Sequence, residues 1–131
     1  MPAKIMKKIN VPWSDTDFRV IIGTTRIDYD HEKEYINREK HGYSLESAVH
    51  FLKKLVFPFG GSSAGPLITH EPKIIKEEVR HNHLAKDKDG NVVFFVTTMR
   101  PDEVVRIISF RRASKKEATI YYAVLTDLMR P

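Results

Sequence analysis

The sequence predicts an α+β domain in which an antiparallel β-sheet packs against N-terminal helices and a C-terminal helix. Three observations carry this. Leu45, Ala48, Val49, Leu52, Leu55 and Val56 recur at helical spacing. From Pro72 to Phe110 the chain is β-prone and is broken by turn residues at Asp89-Gly90 and Arg100-Pro101. Ser114 and Glu117 then stand three residues apart before an apolar run, the spacing of a capping box.

Along the chain, residues 1–26 read as an extension, interrupted by Pro12, Trp13 and the polar Ser14–Asp17 cluster. A short strand is expected over Phe18–Ile22. Trp13 is expected to anchor the extension onto the core, although its ring has the chemistry to stack on a base. Residues 27–131 form the single domain that this length favours. Ile27-Asp28-Tyr29 is extended and leads into a helix over 31–40. Asp30 is its N-cap, because a carboxylate accepts from the free amides of the first turn. Glu32 and Glu34 suit the positive end of the helix dipole, and Lys40 and His41 its negative end. Gly42 takes the left-handed position beyond it. Ser44 caps a second helix over 45–56, which Pro58 ends. The glycine-rich stretch 60–66 lacks the lysine and strand-to-helix setting of a phosphate-binding loop, so it is a connector. Residues 73–85 give one long or two short strands. Lys86–Asn91 is a hairpin turn. Val92–Thr98 is a central strand covered on both faces. Val104–Phe110 is the next strand, and the helix over 114–127 buries Ile120, Tyr121, Val124, Leu125 and Leu128.

Composition limits the chemistry. Among 131 residues, 22 are Lys or Arg and 17 are Asp or Glu, a formal charge of +5 that favours a polyanionic or acidic partner. There is no cysteine, which excludes disulfides, thiolate metal sites and thiol nucleophiles and fits a reducing cytoplasm. No apolar run is long enough for a signal peptide or a membrane span. His81 and His83 alternate in a strand at a spacing some metal sites use. Two histidines without further ligands do not make a closed site, so no metal or cofactor is expected and an exposed strand face is.

Two segments concentrate charge. One is Tyr29–Gly42, with acids, bases, an amide and two histidines. The other is Arg106–Glu117, with a basic cluster where a strand hands over to a helix. Metal-free RNA cleavage needs a base for the ribose 2′-hydroxyl, an acid for the leaving 5′-oxygen and cations for the charge gathering on phosphorus. Arginine suits the last task, since its fork spans two phosphate oxygens. Arg80 and Arg106 stand on strands that can adjoin. Regular alternation would set Arg106 and Arg111 on opposite faces unless a bulge intervenes. His41 titrates near neutrality and can serve as base or acid, or simply close the helix. On spacing alone Lys33 is an ordinary surface partner for Asn37 or Asp30. Glu117 has a sufficient structural task in the capping box.

The spacing Tyr29-Asp30, Lys33, Asn37, Lys40-His41-Gly42, Ser44 and Ala48 resembles the opening motif of the BrnT family of type II toxins. Arg106–Ser109, Arg111-Arg112-Ala113 and Glu117 resemble its closing motif. The resemblance covers about residues 27–122. It departs at Ile27 and Tyr29, where the family prefers an aromatic and often a tryptophan, and around 57–72 and Pro101. It implies a RelE-like fold and a metal-independent endoribonuclease that leaves a 2′,3′-cyclic phosphate. The catalytic candidates are Arg80 and Arg106 for phosphate charge, with Lys33 and His41 for proton transfer or phosphate positioning; Asn37, Lys40, Arg100, Arg111 and Arg112 are the RNA-binding candidates, and it is the resemblance that lifts Lys33 and Asn37 above ordinary surface residues. A ribbon-helix-helix antitoxin of the BrnA type is implied as partner, with operator DNA reached through it. Two other readings remain: a module that binds RNA or the antitoxin without catalysis, and a degenerate member kept as a structural or regulatory partner. Convergence of Arg80, Arg106 and His41 on one concavity would favour the enzyme; a flat basic surface would favour a binder.

Overall fold

A computed structural model describes residues 18–21, 23–56 and 66–128. Pro12, Trp13, the Ser14–Asp17 cluster, Pro58 and most of the 60–66 connector lie outside them. The elements are β1 (Arg26–Tyr29), α1 (His31–His41), α2 (Leu45–Val56), β2 (Ile68–Thr69), β3 (Lys73–Ile75), β4 (Glu78–Lys86), β5 (Val92–Arg100), β6 (Val104–Arg112) and α3 (Lys115–Leu128). The sheet order is β1-β6-β5-β4-β2, with β3 also on β4.

Local chemistry sets the helix ends. The Asp30 carboxylate accepts from the Glu32 amide at 3.0 Å. Gly42 closes α1 at φ 74° and donates to the Arg38 carbonyl at 2.8 Å, a left-handed position that a Cβ would strain. Glu34 ties α1 to α2: its carboxylate accepts from the Leu45 amide at 2.7 Å and from the Ser44 hydroxyl at 2.9 Å. Ser114 and Glu117 form the reciprocal capping box, at 2.8 and 3.1 Å.

The sheet is mixed: it contains the antiparallel meander expected over residues 73–110 and adds one parallel strand. β4, β5 and β6 form the antiparallel meander, but β1 runs parallel to β6, pairing Arg26 with Val104 through Tyr29 with Ile107. The apolar outer edge of β6 needs a backbone partner, and the strand before α1 supplies it. That pairing spans most of the chain and leaves no local pattern.

Leu45, Ala48, Val49 and Leu52 of α2 pack on one sheet face with Ile27, Ala85, Val93, Phe95, Val105, Ile107 and Phe110. Phe18 and Val20 also pack there. Residues 18–21 form no strand; instead a hydroxyl-closed turn forms, with the Ile21 amide donating to Thr25 Oγ1 at 2.7 Å and Gly23 at φ 85°.

Among the described residues, an apolar cluster covers the other face at one end, where Tyr121 of α3 packs with Leu84 and Val92. Two expectations change here. Of the proposed α3 stripe only Tyr121 is fully buried. Val124 and Leu125 are half-buried, while Ile120 and Leu128 are exposed. Ile120 lies about 100° round the helix from Tyr121, and Leu128 lies beyond Leu125, the last packed position. Accordingly, among the described residues, β5 is covered on both faces near Val92 and Phe94, and Thr98 is buried between Arg80 and Arg106, but Val96 between them faces an open concavity.

His81 and His83 are buried, contrary to the expected exposed face. The register sets them opposite Thr97 and Phe95, both on the core side. The His83 ring lies against Phe95 and Phe18 at 4.7 and 4.5 Å between centroids. Its two nitrogens meet the hydroxyls of Thr69 at 3.0 Å and Thr97 at 2.7 Å. A neutral imidazole is thereby satisfied inside the core. Burial, with His81 and His70 nearby, pushes its pKa down to about 3.

Candidate active site

β1 covers the edge of β6 only as far as Ile107. Beyond it, Asn37 of α1 replaces a strand: its Oδ1 accepts from the Phe110 amide at 3.1 Å, and its Nδ2 donates to the Phe110 carbonyl at 2.8 Å. The same Nδ2 donates to the Tyr43 carbonyl at 2.9 Å. The helix is thus held against the sheet edge. Lys33, Ile36 and Lys40, at i, i+3 and i+7, form one stripe beside the uncovered half of the sheet.

That stripe, with Asn37 and His41, forms one wall of a cleft of about 220 Å³ whose other lining is Arg80, Val96, Ile108 and Ser109. Residues from α1, β4, β5 and β6 therefore meet in one concavity. Among the proposed catalytic residues it gathers Lys33, His41 and Arg80; among the RNA-binding ones, Asn37 and Lys40.

Arg106 lies outside the lining but in the same cross-strand row. Arg80 and Arg106 both face Thr98 from opposite sides, and Asp28 follows Arg106 on β1. Its guanidinium is paired with Asp28, at 3.0 Å through Nε and 3.3 Å through Nη2. A register shift between Val96 and Thr97 changes the parity of β6: Thr98 faces Arg106, whereas Phe94 faces Arg111. Arg106, Ser109 and Arg111 consequently share one face, the outcome that regular alternation excluded. Ile108 is the additional residue.

The arginines carry carboxylate partners. Arg80 donates through Nε to Glu78 at 2.9 Å, and Arg100 contacts the same carboxylate at 3.4 Å. Arg111 grips Glu117 with both terminal nitrogens, at 2.8 and 2.9 Å, and its guanidinium lies 4.2 Å from the Phe94 ring centre. It fastens β6 to the start of α3. Arg112 is exposed and lines a separate hollow with Asn91, Ser114 and Lys115. Lys33 and Lys40 have no ion pair among the described residues, so their charges are available in the cleft. His41 has a lowered pKa, because burial and the nearby Lys40 and Arg111 charges disfavour its protonated form. Among the described residues no three His, Asp or Glu side chains gather to hold a metal ion.

Sequence reasoning did not find Ile36, Val96, Ile108 or Ser109. Ile36 was findable, since it stands between Lys33 and Lys40 on one helical stripe. Ser109 was not, because the bulge that turns it into the cleft has no glycine to mark it. The carboxylates of Asp28 and Glu78 were also missed; each lies across or along a strand from its arginine.

The family model described as "Ribonuclease toxin, BrnT, of type II toxin-antitoxin system" matches residues 29–117, from the strand end before α1 to the capping glutamate of α3. No curated protein matches the chain. Among solved structures, the crystal structure of the Brucella abortus ribonuclease toxin BrnT is similar at 21% identity and a TM-score of 0.46, covering 70% of this chain and all of that one. The matched segment contains every residue that lines the cleft, and membership of a toxin–antitoxin family implies an antitoxin partner. The chain belongs to the BrnT family of ribonuclease toxins of type II toxin–antitoxin systems.

Proposed function

We propose that this protein is an endoribonuclease that cleaves RNA in the cleft between α1 and the sheet, without a metal ion. The observation that carries the proposal is the meeting of Lys33, Lys40, His41 and Arg80 in one concavity. In the proposed reaction His41 takes the proton of a ribose 2′-hydroxyl. Its lowered pKa keeps the imidazole neutral and able to do so near pH 7. The 2′-oxygen attacks the adjacent phosphorus, the bond to the 5′-oxygen breaks, and the Lys33 ammonium supplies the proton that the leaving oxygen needs. Arg80 and Lys40 hold the phosphate oxygens, and Arg106, across Thr98, extends the positive row. Arg100, Arg111 and Arg112 lie along the path of a longer RNA. The products are a 2′,3′-cyclic phosphate and a 5′-hydroxyl. The partner proposed is an antitoxin of ribbon-helix-helix type that connects the toxin to its operator DNA.

The test is RNA cleavage by the purified chain in excess chelator, with the end groups identified. Cleavage that persists and leaves cyclic phosphate supports the reading. Arg80→Ala should lower kcat by about 10²–10³, as loss of a charge-stabilising donor does elsewhere. Cleavage abolished by chelator, or a folded Arg80→Ala protein at full activity, would overturn it. A second reading, a non-catalytic binder, is favoured by one observation: Arg80, Arg100, Arg106 and Arg111 each contact a carboxylate. Tight RNA or antitoxin binding without cleavage would support it.

A further inference from the structure

The cleft is not purely ionic. Ile36, Val96 and Ile108 line it beside the cations. Ile36 is 60% exposed, so it contributes little to the core. It stands one turn from Lys33 and one turn from Lys40 on the same stripe, an apolar side chain between two charges that have no ion pair among the described residues. A site for phosphate alone would be lined by donors. Ile108 is only 7% exposed, whereas Ile36 and the half-buried Val96 keep apolar atoms in contact with water; such atoms between phosphate-binding groups suit a ligand that alternates charge with a flat apolar surface, as a nucleotide chain does.

We propose that Ile36, Val96 and Ile108 form a nucleobase subsite, which takes one unpaired base of the RNA while Lys33, Lys40 and Arg80 hold its neighbouring phosphates. This rests on the reading of the cleft as the RNA site and adds what that reading lacks, a contact to the base. A cleft of about 220 Å³ has room for one base. A base whose face lies against these side chains gives up its stacking in any helix it belongs to. The recognition is apolar and so favours no base by hydrogen bonding from these three side chains.

The test is a double-mutant cycle on cleavage. One axis is Ile36→Ser. The other is a short single-stranded oligoribonucleotide against the same strand with an abasic ribose, 2′-hydroxyl retained, at the cleaved step. On the intact strand Ile36→Ser should lower kcat/KM about tenfold, the effect of losing roughly 55 Å² of apolar contact, mostly through KM. On the abasic strand the substitution should make no difference, because the base it touches is gone. Ile36→Ser should melt as the parent protein does, since the side chain is exposed. Equal losses on both strands, or none on either, would overturn the base subsite. If Arg80→Ala still shows its loss of about 10²–10³ in the same assay, the cleft itself survives that failure; if Arg80→Ala cleaves fully, both readings fall.

Discussion

Asn37 illustrates how one side chain can have two readings. By position it sits among the cleft residues, yet its amide is fully engaged: both hydrogens and the oxygen bond to Phe110 and Tyr43 backbone. At 5% exposure it fixes α1 to the open edge of β6, and thereby fixes where Lys33 and Lys40 stand. Asn37→Asp removes both donors and sets a carboxylate against two carbonyls. It should destabilise the fold by about 2–4 kcal/mol, the penalty of buried unsatisfied groups. Chemical denaturation measures it; an unchanged midpoint with lost RNA binding would instead make Asn37 a direct ligand. His41 makes a different kind of prediction. Burial lowers its pKa first, and the Lys40 and Arg111 charges lower it further. A base must be neutral to act, so the acid limb of the pH–rate profile should have its midpoint below 6.5. Lys40→Gln removes one positive neighbour, raises the His41 pKa and should move that limb to higher pH. A limb that stays in place would separate Lys40 from His41.

Among the elements, the two turns at one end of the sheet lack the residues their geometry favours. Ile75 pairs with Glu78, so Lys76 and Glu77 form a two-residue hairpin with φ of 52° and 64°. Asp102 and Glu103 take φ of 66° and 58° before β6. Turns with both central residues left-handed prefer Asn-Gly or Asp-Gly. Glu77→Gly should therefore stabilise the protein by about 0.5–1 kcal/mol, read as a rise in melting temperature; a fall would mean that the Glu77 side chain has an unseen task. These turns also show the limits of the sequence. Asp30, Gly42 and the Ser114–Glu117 box act within a few residues of themselves, so the ends of α1 and the start of α3 were legible. The long meander was legible for the same reason, through alternation and Asp89-Gly90. The parallel β1 was not, since its partner lies about 78 residues on. Nor was the parity of β6. One extra residue at Ile108 moves Arg111 onto the face of Arg106 without changing any local propensity. The candidate site divides likewise: Lys33, Lys40 and His41 share one helix, whereas their meeting with Arg80 depends on tertiary packing.

On the scale of the whole molecule, the core contains a titratable group that makes stability depend on pH. His83 is wholly buried between Phe18 and Phe95, with hydroxyls at both nitrogens. Its folded pKa is about 3, against about 6.5 for an unfolded histidine. Between those values the unfolded chain binds a proton that the folded chain refuses. The unfolding free energy therefore falls as pH falls, beginning near 6.5, with a limiting slope of about 1.4 kcal/mol per pH unit. Carboxylates act in a lower window. The Arg111 contact chiefly holds Glu117 down to about 2. Glu34 is disfavoured as an anion by burial, but the hydrogen bonds from Leu45, Ser44 and Glu46 outweigh that and lower its pKa. Both contribute stability that is present above the ordinary carboxylate range and lost as pH falls from it through their lower folded pKa values. Acid unfolding should accordingly have two stages, the first set by His83 and the second by the carboxylates that fasten α2 and α3. His83→Phe keeps a ring between Phe18 and Phe95 while leaving the Thr69 and Thr97 hydroxyls without their nitrogen partners. It should cost about 1–3 kcal/mol at pH 7.5. Yet it should flatten the dependence between pH 6.5 and 4.5, where no proton is left to bind. Denaturation midpoints measured across that range for both proteins decide the matter: a His83→Phe curve parallel to the parent's would transfer the acid sensitivity to other groups.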